Sequence, residues 1–169
     1  YVPSGAAQSL RSKRTKTLAL IVPDIQNAFW TTVARGIEDA AQSRGYSIFL
    51  CNTDENGAKQ RHYLDAVISR RVDGVIIAPT DSHAESLEPL RRRNLPTVVV
   101  DRHINGWDVD TVSSDSISAS RTLVQHLINL GHKRIAVISG PMKASTASDR
   151  IYGYRVALAE AGIPYDPAL

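Results

Sequence analysis

Short apolar runs alternate along the chain with longer stretches of helical periodicity. The runs, rich in β-branched residues, predict strands at residues 17–22, 46–51, 74–78, 97–100, 111–113 and 134–139. Near-continuous apolar strands are typical of a parallel sheet that is buried on both faces. Apolar residues recur at helical spacing over residues 28–44, 58–70, 83–93, 115–130 and 148–161. This alternation predicts an α/β fold, a parallel sheet flanked by helices and built from right-handed βαβ units.

Residues at the predicted helix ends refine these bounds. Gly45, Gly131 and Gly162 follow three of the periodic stretches and are expected C-caps. Asn27 precedes the first predicted helix and can cap it. Pro89 lies inside residues 83–93, so that helix is expected to start late or to kink.

Composition indicates an ordinary globular protein. The 169 residues are 43% hydrophobic and 22% charged, and the length suffices for one domain with a real core or for one domain plus part of a second. The single cysteine, Cys51, excludes an intramolecular disulfide and is interpreted as a small buried residue. No apolar run approaches the roughly 20 residues of a membrane span, and no signal-peptide core follows the first charges. We therefore expect a cytoplasmic protein without a membrane partner, although the chain does not begin with Met and is expected to be a fragment.

The first residues carry an unusual charge pattern. The stretch "PSGAAQSLRSKRTKT", residues 3–17, holds four cations, no acid and one isolated leucine, Leu10. The cations are Arg11, Lys13, Arg14 and Lys16. The net charge of +3 is mild, so the crowding of these cations directly before the first core strand is the more informative feature.

Aromatic and polar side chains follow the first predicted strand. Ligands of open α/β sheets bind beyond the carboxyl ends of the strands. Phe29 and Trp30 are adjacent and cannot both face one core, so one of them is expected to project toward the crevice. An aromatic ring beside amides and carboxylates is how proteins hold a sugar or a nucleobase. Asn27 is a candidate for the same site, with helix capping as its structural alternative.

Charged residues follow the later strands. Asp81 comes after the third strand and the Asp101–Arg102 pair after the fourth. The pair has bidentate reach to hydroxyls or a carboxylate, and its alternative is a solvent-exposed ion pair contributing about 0–1 kcal/mol. Arg150 is expected in the first turn of the last helix, where a cation is unfavourable for the helix dipole, and this indicates another task.

Motifs of catalysis are missing from the sequence. It contains no G-x-G-x-x-G, P-loop, G-x-S-x-G or H-E-x-x-H, and none of the five histidines lies within metal spacing of a cysteine or another histidine. We nominate no catalytic residue, no metal ligand and no cofactor. A sugar-modifying enzyme on the same fold stays a minor alternative.

Several motifs together resemble the LacI/GalR family of bacterial transcription regulators. They include "PSGAAQSL", "ARGIEDAAQSRGYSIFLCNTDEN", "RRVDGVIIAPTD", "LPTVVVDRHI" and "LINLGHKRIAVISG". The likeness runs from Tyr1 to the end, and the first and last of these motifs are highly specific. The resemblance implies a periplasmic-binding-protein-like core of two α/β lobes with a small effector in the cleft.

The resemblance also implies a division of the chain. Residues 1–16 would be a hinge helix and basic linker, residues 17–113 the first lobe, and residues 114–169 the start of a truncated second lobe. A DNA-reading helix-turn-helix domain would precede Tyr1. The implied effector contacts are Asn27, Phe29, Trp30, Asp81, Asp101, Arg102 and Arg150. Trp30 stands where related sugar binders often have phenylalanine, which leaves sugars, sugar phosphates and purines open as effectors.

In the family, the hinge helix lies in the DNA minor groove beside its dimer mate. Residues 4–11 are too few for a stable free helix. Leu10 matches the leucine that wedges between base steps, and the cations would meet phosphates. The implied DNA contacts are Ala7, Gln8, Leu10, Arg11, Lys13 and Arg14. We therefore expect a homodimeric repressor that binds operator DNA under the control of a sugar-like effector. The alternative is a periplasmic sugar-binding transport receptor. Such a receptor has no need of the basic segment at residues 1–16, which we call the basic leader.

Overall fold

The computed structural model describes residues 14–169 and divides into two compact units. The first unit ends at Val112, and the second comprises Ser113–Leu169. The predicted hinge helix and five of its six DNA contacts lie outside the described residues; only Arg14 lies within them.

The first unit is a parallel sheet with helices on both faces. Its strands are β1 (Thr17–Val22), β2 (Ser47–Asn52), β3 (Gly74–Ile77), β4 (Thr97–Val100) and β5 (Asp110–Val112). Its helices are α1 (Ala28–Gln42), α2 (Gly57–Ser69) and the short α3 (Glu88–Arg91), which follows a 3₁₀ turn at Ala84–Leu87. The order is β2-β1-β3-β4-β5, and every neighbouring pair is parallel. The predicted α/β fold and the first five strands are confirmed.

Alternation along β1 decides what each face of the sheet buries. Ala19 and Ile21 face a core that is covered by Leu64 and Val67 of α2, Leu87 of the 3₁₀ turn and Leu90 of α3. Leu20 and Val22 face the other way, against Trp30 of α1. All four β1 side chains have 0% exposure, as a central strand of a doubly covered sheet requires.

Local signals at two helix starts act as predicted. The Asn27 carboxamide oxygen accepts a hydrogen bond from the Phe29 amide at 3.0 Å and caps α1. Helix α3 begins only at Glu88, with Pro89 in its first positions, so the expected late start is confirmed.

The second unit contains two packed helices, α4 (Ser116–Asn129) and α5 (Ser145–Glu160). The predicted strand at residues 134–139 is wrong: this segment joins no sheet in the described chain. The physical reason is that a strand needs a neighbouring backbone, whereas the Val137 amide instead donates to the Leu169 carbonyl at 2.9 Å. Ile135 is still held in the core, because its carbonyl accepts a 2.8 Å hydrogen bond from the Tyr154 hydroxyl.

Gly153 lets α4 and α5 approach closely. A Cβ atom at this position would lie 2.3 Å from the Ile117 carbonyl oxygen and 3.1 Å from the Arg121 amide nitrogen. Since both neighbours are backbone atoms, they cannot rotate away. The close packing of α4 against α5 therefore requires a residue without a Cβ at position 153, and the backbone freedom of glycine is not the reason.

Replacing Gly153 with alanine is expected to lower the free energy of unfolding of the second unit by about 1–3 kcal/mol, the usual cost of overpacking. Urea denaturation followed by circular dichroism measures this loss. Gly36→Ala is the matched control: nothing lies within 4 Å of its added Cβ, so this helical substitution should stabilise by about 0.5–1 kcal/mol. Equal stability of the two variants would contradict the close approach.

Candidate functional site

Arg102 forms the centre of a polar cluster at the carboxyl edge of the sheet. It follows β4 and is only 5% exposed. Its Nη1 donates to the Pro79 carbonyl at 2.6 Å and to Glu55 Oε2 at 2.9 Å, and its Nη2 donates to Glu55 Oε1. Pro79 follows β3 and Glu55 follows β2, so the guanidinium reaches across the strand ends. This is the edge at which ligands of doubly wound sheets bind.

The interpretation of Arg102 as half of a solvent-exposed ion pair is wrong, because the side chain is buried. The predicted bidentate geometry is present, but the carboxylate it engages is the protein's own Glu55. Sequence reasoning missed Glu55, although its position just after β2 was a usable signal. Asp101 beside it has a positive φ of 67°, and its amide donates to the Val112 carbonyl at 2.8 Å.

The loop that carries Glu55 has an unusual backbone. Asp54 and Glu55 both have positive φ, 51° and 54°, which non-glycine residues rarely adopt. Asn56 then caps α2, its side chain accepting from the Ala58 amide at 2.8 Å. Asn52 Oδ1 accepts from the Ile25 amide at 2.8 Å and ties this loop to the one after β1. The position of Glu55 is therefore fixed on both sides.

Two buried polar atoms at this edge have no hydrogen-bond partner among the described residues. They are Arg102 Nε and Thr80 Oγ1. Thr80 is 2% exposed, and its amide donates to Gln60 Oε1 at 2.8 Å. An unsatisfied buried polar group costs about 1–3 kcal/mol. The pair thus offers a hydroxyl and an N–H donor suited to a polar ligand.

The two adjacent aromatic residues point to different surroundings, as predicted. Phe29 is 51% exposed, whereas Trp30 is 4% exposed and packs against Leu20 and Val22. Their rings meet edge to face with centroids 5.0 Å apart. Phe29, not Trp30, therefore offers an open ring, and an effector contact with Trp30 would require that ring to be uncovered.

The remaining predicted contacts are Asp81 and Arg150. Asp81 follows β3, and its Oδ1 accepts from the His83 amide at 3.0 Å. Arg150 belongs to the second unit, exposed on α5. Because α5 starts at Ser145, Arg150 lies in its second turn, and the prediction of a first-turn position is wrong. The unfavourable interaction of Arg150 with the helix dipole is therefore smaller than expected. The role of Asp81 and Arg150 as effector contacts stays a prediction.

The opposite edge of the sheet anchors the basic leader. Asp73 Oδ1 accepts from the Thr15 amide at 2.7 Å and lies 3.0 Å from the Thr15 hydroxyl, and Oδ2 accepts from the Lys16 amide at 3.1 Å. Partial burial alone would raise the pKa of Asp73, but these hydrogen bonds and the Arg14 charge outweigh it and lower the pKa. The backbone just before β1 is therefore held in place by the Asp73 carboxylate.

Three further properties of the described part of the chain concern metal binding, membrane crossing and the reactivity of its cysteine. Residues 14–169 contain no group of three histidine, cysteine, aspartate or glutamate side chains arranged to hold a metal ion. Within the same range, no helix combines the length and apolar character needed to cross a membrane. Cys51 is buried, as predicted, and burial raises its thiol pKa to about 11, so the thiol is protonated at neutral pH.

Comparison with known proteins gives consistent matches. Residues 15–168 match the family model described as periplasmic binding proteins and sugar binding domain of LacI family. The chain is 35% identical over 164 residues to the ribose operon repressor of Escherichia coli K12, covering 96% of this chain and 50% of that protein. It is 36% identical over 165 residues to catabolite control protein A of Priestia megaterium, covering 97% and 50%. The chain spans about half the length of the curated relatives it matches.

A solved structure has the same fold and a bound sugar. It is a periplasmic binding protein/LacI transcriptional regulator from Alkaliphilus metalliredigens, complexed with D-xylulofuranose. The TM-score is 0.80 at 31% identity, and the match covers 89% of this chain and 55% of that one.

Removing the Asp73 anchor should loosen the start of β1. Asp73→Ala is expected to lower the free energy of unfolding at pH 7 by about 1 kcal/mol, and Asp73→Asn by less, since one acceptor remains and the site is partly open to solvent. Because the folded-state pKa is lowered, the ionic contribution is present above the ordinary value of 3.8 and is lost as pH falls through the folded pKa.

Urea titrations at pH 7 and pH 3 measure this contribution. The stability difference between wild type and Asp73→Asn should shrink at pH 3. Asp65→Asn, on the exposed surface of α2, is the control and should change little at either pH. A difference for Asp73→Asn that is unaltered at pH 3 would contradict the ionic anchor.

Proposed function

This chain belongs to the family of periplasmic binding proteins and LacI-type sugar-binding domains, and on that premise we propose that it is the effector-binding region of a DNA-binding transcription repressor. The single observation that carries the proposal is the arrangement of the first unit. A polar cluster around a buried arginine lies at one sheet edge, and a basic leader is anchored at the other. The proposal is supported by relatives that are named as repressors, among them the ribose operon repressor, of which this chain covers about half.

The proposed effector is a sugar or sugar derivative bound at the carboxyl edge. Arg102 Nε and Thr80 Oγ1 supply hydrogen bonds to hydroxyl groups, and Phe29 supplies an apolar ring for the face of a sugar. Glu55 holds the guanidinium rigidly, so little side-chain entropy is lost when a ligand arrives. Asn27, Asp81 and Asp101 are the other proposed contacts of the first unit. Trp30 would join them only if its ring were uncovered, and Arg150 is a proposed contact of the second unit.

The second half of the proposal concerns DNA. The hinge helix at residues 4–11 would insert Leu10 into the minor groove of an operator, and Arg11, Lys13 and Arg14 would neutralise phosphates. A cytoplasmic location follows from this role. A periplasmic transport receptor does not bind DNA and needs no such basic leader. The alternative of a transport receptor is therefore the weaker one. No residue is assigned a catalytic role.

We further propose that the protein acts as a homodimer, since repressors of this kind read two-fold symmetric sites. Strand β2 lies at one side of the sheet and leaves Leu50 44% exposed. Beside it, a groove of about 320 Å³ lies between α1 and β2, with Ile25, Ala34 and Ile48 in its wall. An exposed apolar surface at a sheet edge suits contact with a second copy.

Effector and DNA sites would be coupled through the body of the first unit. Effector binding at one edge would change how the leader is presented at the other. A coupling free energy of about 1–3 kcal/mol is enough to alter operator occupancy several-fold or more.

Thr80→Val tests the effector site without disturbing the fold. The variant removes the unpartnered hydroxyl and keeps the shape, so unfolding stability should be unchanged or slightly higher. Affinity for the effector should fall about 3- to 10-fold, the value of one hydrogen bond. A thermal-shift screen of the intact protein against monosaccharides, disaccharides, sugar phosphates and purines identifies the effector, and calorimetry then measures its affinity.

Thr32→Val on the exposed surface of α1 is the matched control and should bind as the wild type does. Arg102→Lys keeps a positive charge beside Glu55 but lacks Nε and the bidentate geometry, so a loss of about 10- to 100-fold is expected. Normal affinity in both Thr80→Val and Arg102→Lys would remove the carboxyl edge as the effector site.

Leu10→Ala tests the DNA role. In the intact protein it should weaken operator binding about tenfold or more, because alanine is too small to wedge between base steps. Effector affinity should be unaffected. Leu130→Ala, a surface leucine of the second unit, controls for loss of an exposed leucine elsewhere. Operator affinity that is the same in all three proteins would refute the wedge.

A further inference from the structure

Cations gather at the amino-terminal edge of three adjacent strands. Arg14 and Lys16 precede β1, Arg44 precedes β2, and Arg70 and Arg71 precede β3. All five side chains are exposed. We call these five residues the basic edge. None of them contributes to the effector cluster, which lies at the other end of the same strands.

Main-chain hydrogen bonds hold the three loops of the basic edge together. The Ser47 amide donates to the Lys16 carbonyl at 2.9 Å, and the Asp73 amide donates to the Thr17 carbonyl at 2.8 Å. Lys16 Nζ also lies 4.5 Å from the centre of the Tyr46 ring. Because the loops are bonded to one another, these cations lie on neighbouring loops at one edge of the sheet.

Of the acidic residues at this side of the sheet, Asp73 is hydrogen-bonded to the leader, and Asp108 and Asp110 lie at the start of β5, two strands away from β3. Both Asp73 oxygens accept main-chain hydrogen bonds from the leader. Before β4, Glu88 forms ion pairs with Arg91 at 3.6 Å and Arg92 at 3.0 Å, so one carboxylate serves two cations in that segment. Asp24, Asp54, Glu55, Asp81 and Asp101 all follow strands and lie toward the opposite edge. The first unit therefore has an asymmetric charge distribution along its strands.

The length of the leader places any DNA it holds close to this surface. Asp73 fixes Thr15, and Leu10 is only five positions before Thr15. Five fully extended residues span at most about 18 Å. A duplex gripped by Leu10 must therefore run near the basic edge, and it carries one negative charge per about 1.7 Å of its axis.

We propose that the basic edge is a second DNA-contacting surface, in which the core itself binds phosphates beside the site held by the leader. The inference rests on the proposed DNA role of the leader and extends it to the first unit. Its contribution is electrostatic and independent of base sequence, since arginine and lysine at phosphates position a protein on DNA without reading it. It adds affinity and fixes the angle at which the core meets the duplex.

The salt dependence of DNA binding tests this surface directly. The intact protein is titrated with a fluorescent random-sequence duplex of about 30 base pairs at about 50–200 mM KCl, and log K is plotted against log salt. Arg70→Gln/Arg71→Gln should reduce the slope by about 1.8, because each lost phosphate contact removes about 0.9.

The matched control is Lys59→Gln/Arg61→Gln. These two exposed cations lie in the first turns of α2, toward the carboxyl edge of the same unit, and their loss changes the net charge equally. This control should keep the wild-type slope. Since Arg71 has a positive φ of 53°, thermal unfolding of each variant is checked, and Arg44→Gln/Arg70→Gln serves as a second test pair.

The outcomes separate this proposal from the one it rests on. Equal slopes for the test pairs and the control pair would overturn the basic edge, whether both stay at the wild-type value or both fall with net charge. A leader variant, Arg11→Gln/Lys13→Gln, reports on the leader alone. If it lowers the slope while the test pairs do not, the leader binds DNA and the basic edge does not. If the wild type shows no salt-dependent binding, both proposals fail.

Discussion

The common direction of the five strands is the constraint on which the first unit depends. Because β1 to β5 are all parallel, every strand begins at one edge and ends at the other. Residues that follow strands therefore gather at one end, although they are far apart in sequence. Residues that precede strands gather at the opposite end. The proposed effector site and the Asp73 anchor of the leader are thereby separated by the length of a strand and connected through one buried sheet.

The buried guanidinium of Arg102 is the most demanding group in this arrangement. A charge with 5% exposure must be paired, because leaving it unpaired in the interior is costly. Glu55 and the Pro79 carbonyl pair its terminal nitrogens, whereas Nε, like Thr80 Oγ1, has no hydrogen-bond partner among the described residues. The site is thus rigid on one side and unsatisfied on the other, which is the condition expected of a preorganised binding site.

Local signals predicted the parts of the structure that depend on neighbouring residues. The apolar run of β1, the Asn27 cap and the late helix start at Pro89 each act within a few residues, and each is confirmed. The strand expected at residues 134–139 failed because a strand is stabilised by a partner elsewhere in the chain. The apolar pattern of that segment was sufficient for burial of Ile135 but not for pairing.

The sequence by itself determined the alternation of strands and helices, the caps and the set of polar residues at the strand ends, because periodicity and capping are short-range properties. Only the tertiary structure decided that Arg102 binds Glu55 across 47 positions, that Trp30 is buried while Phe29 is open, and that Asp73 holds Thr15 across 58. Those pairings follow from strand order, and strand order is set by how the whole sheet buries its two faces. No local pattern encodes which loops a parallel sheet will bring to the same edge.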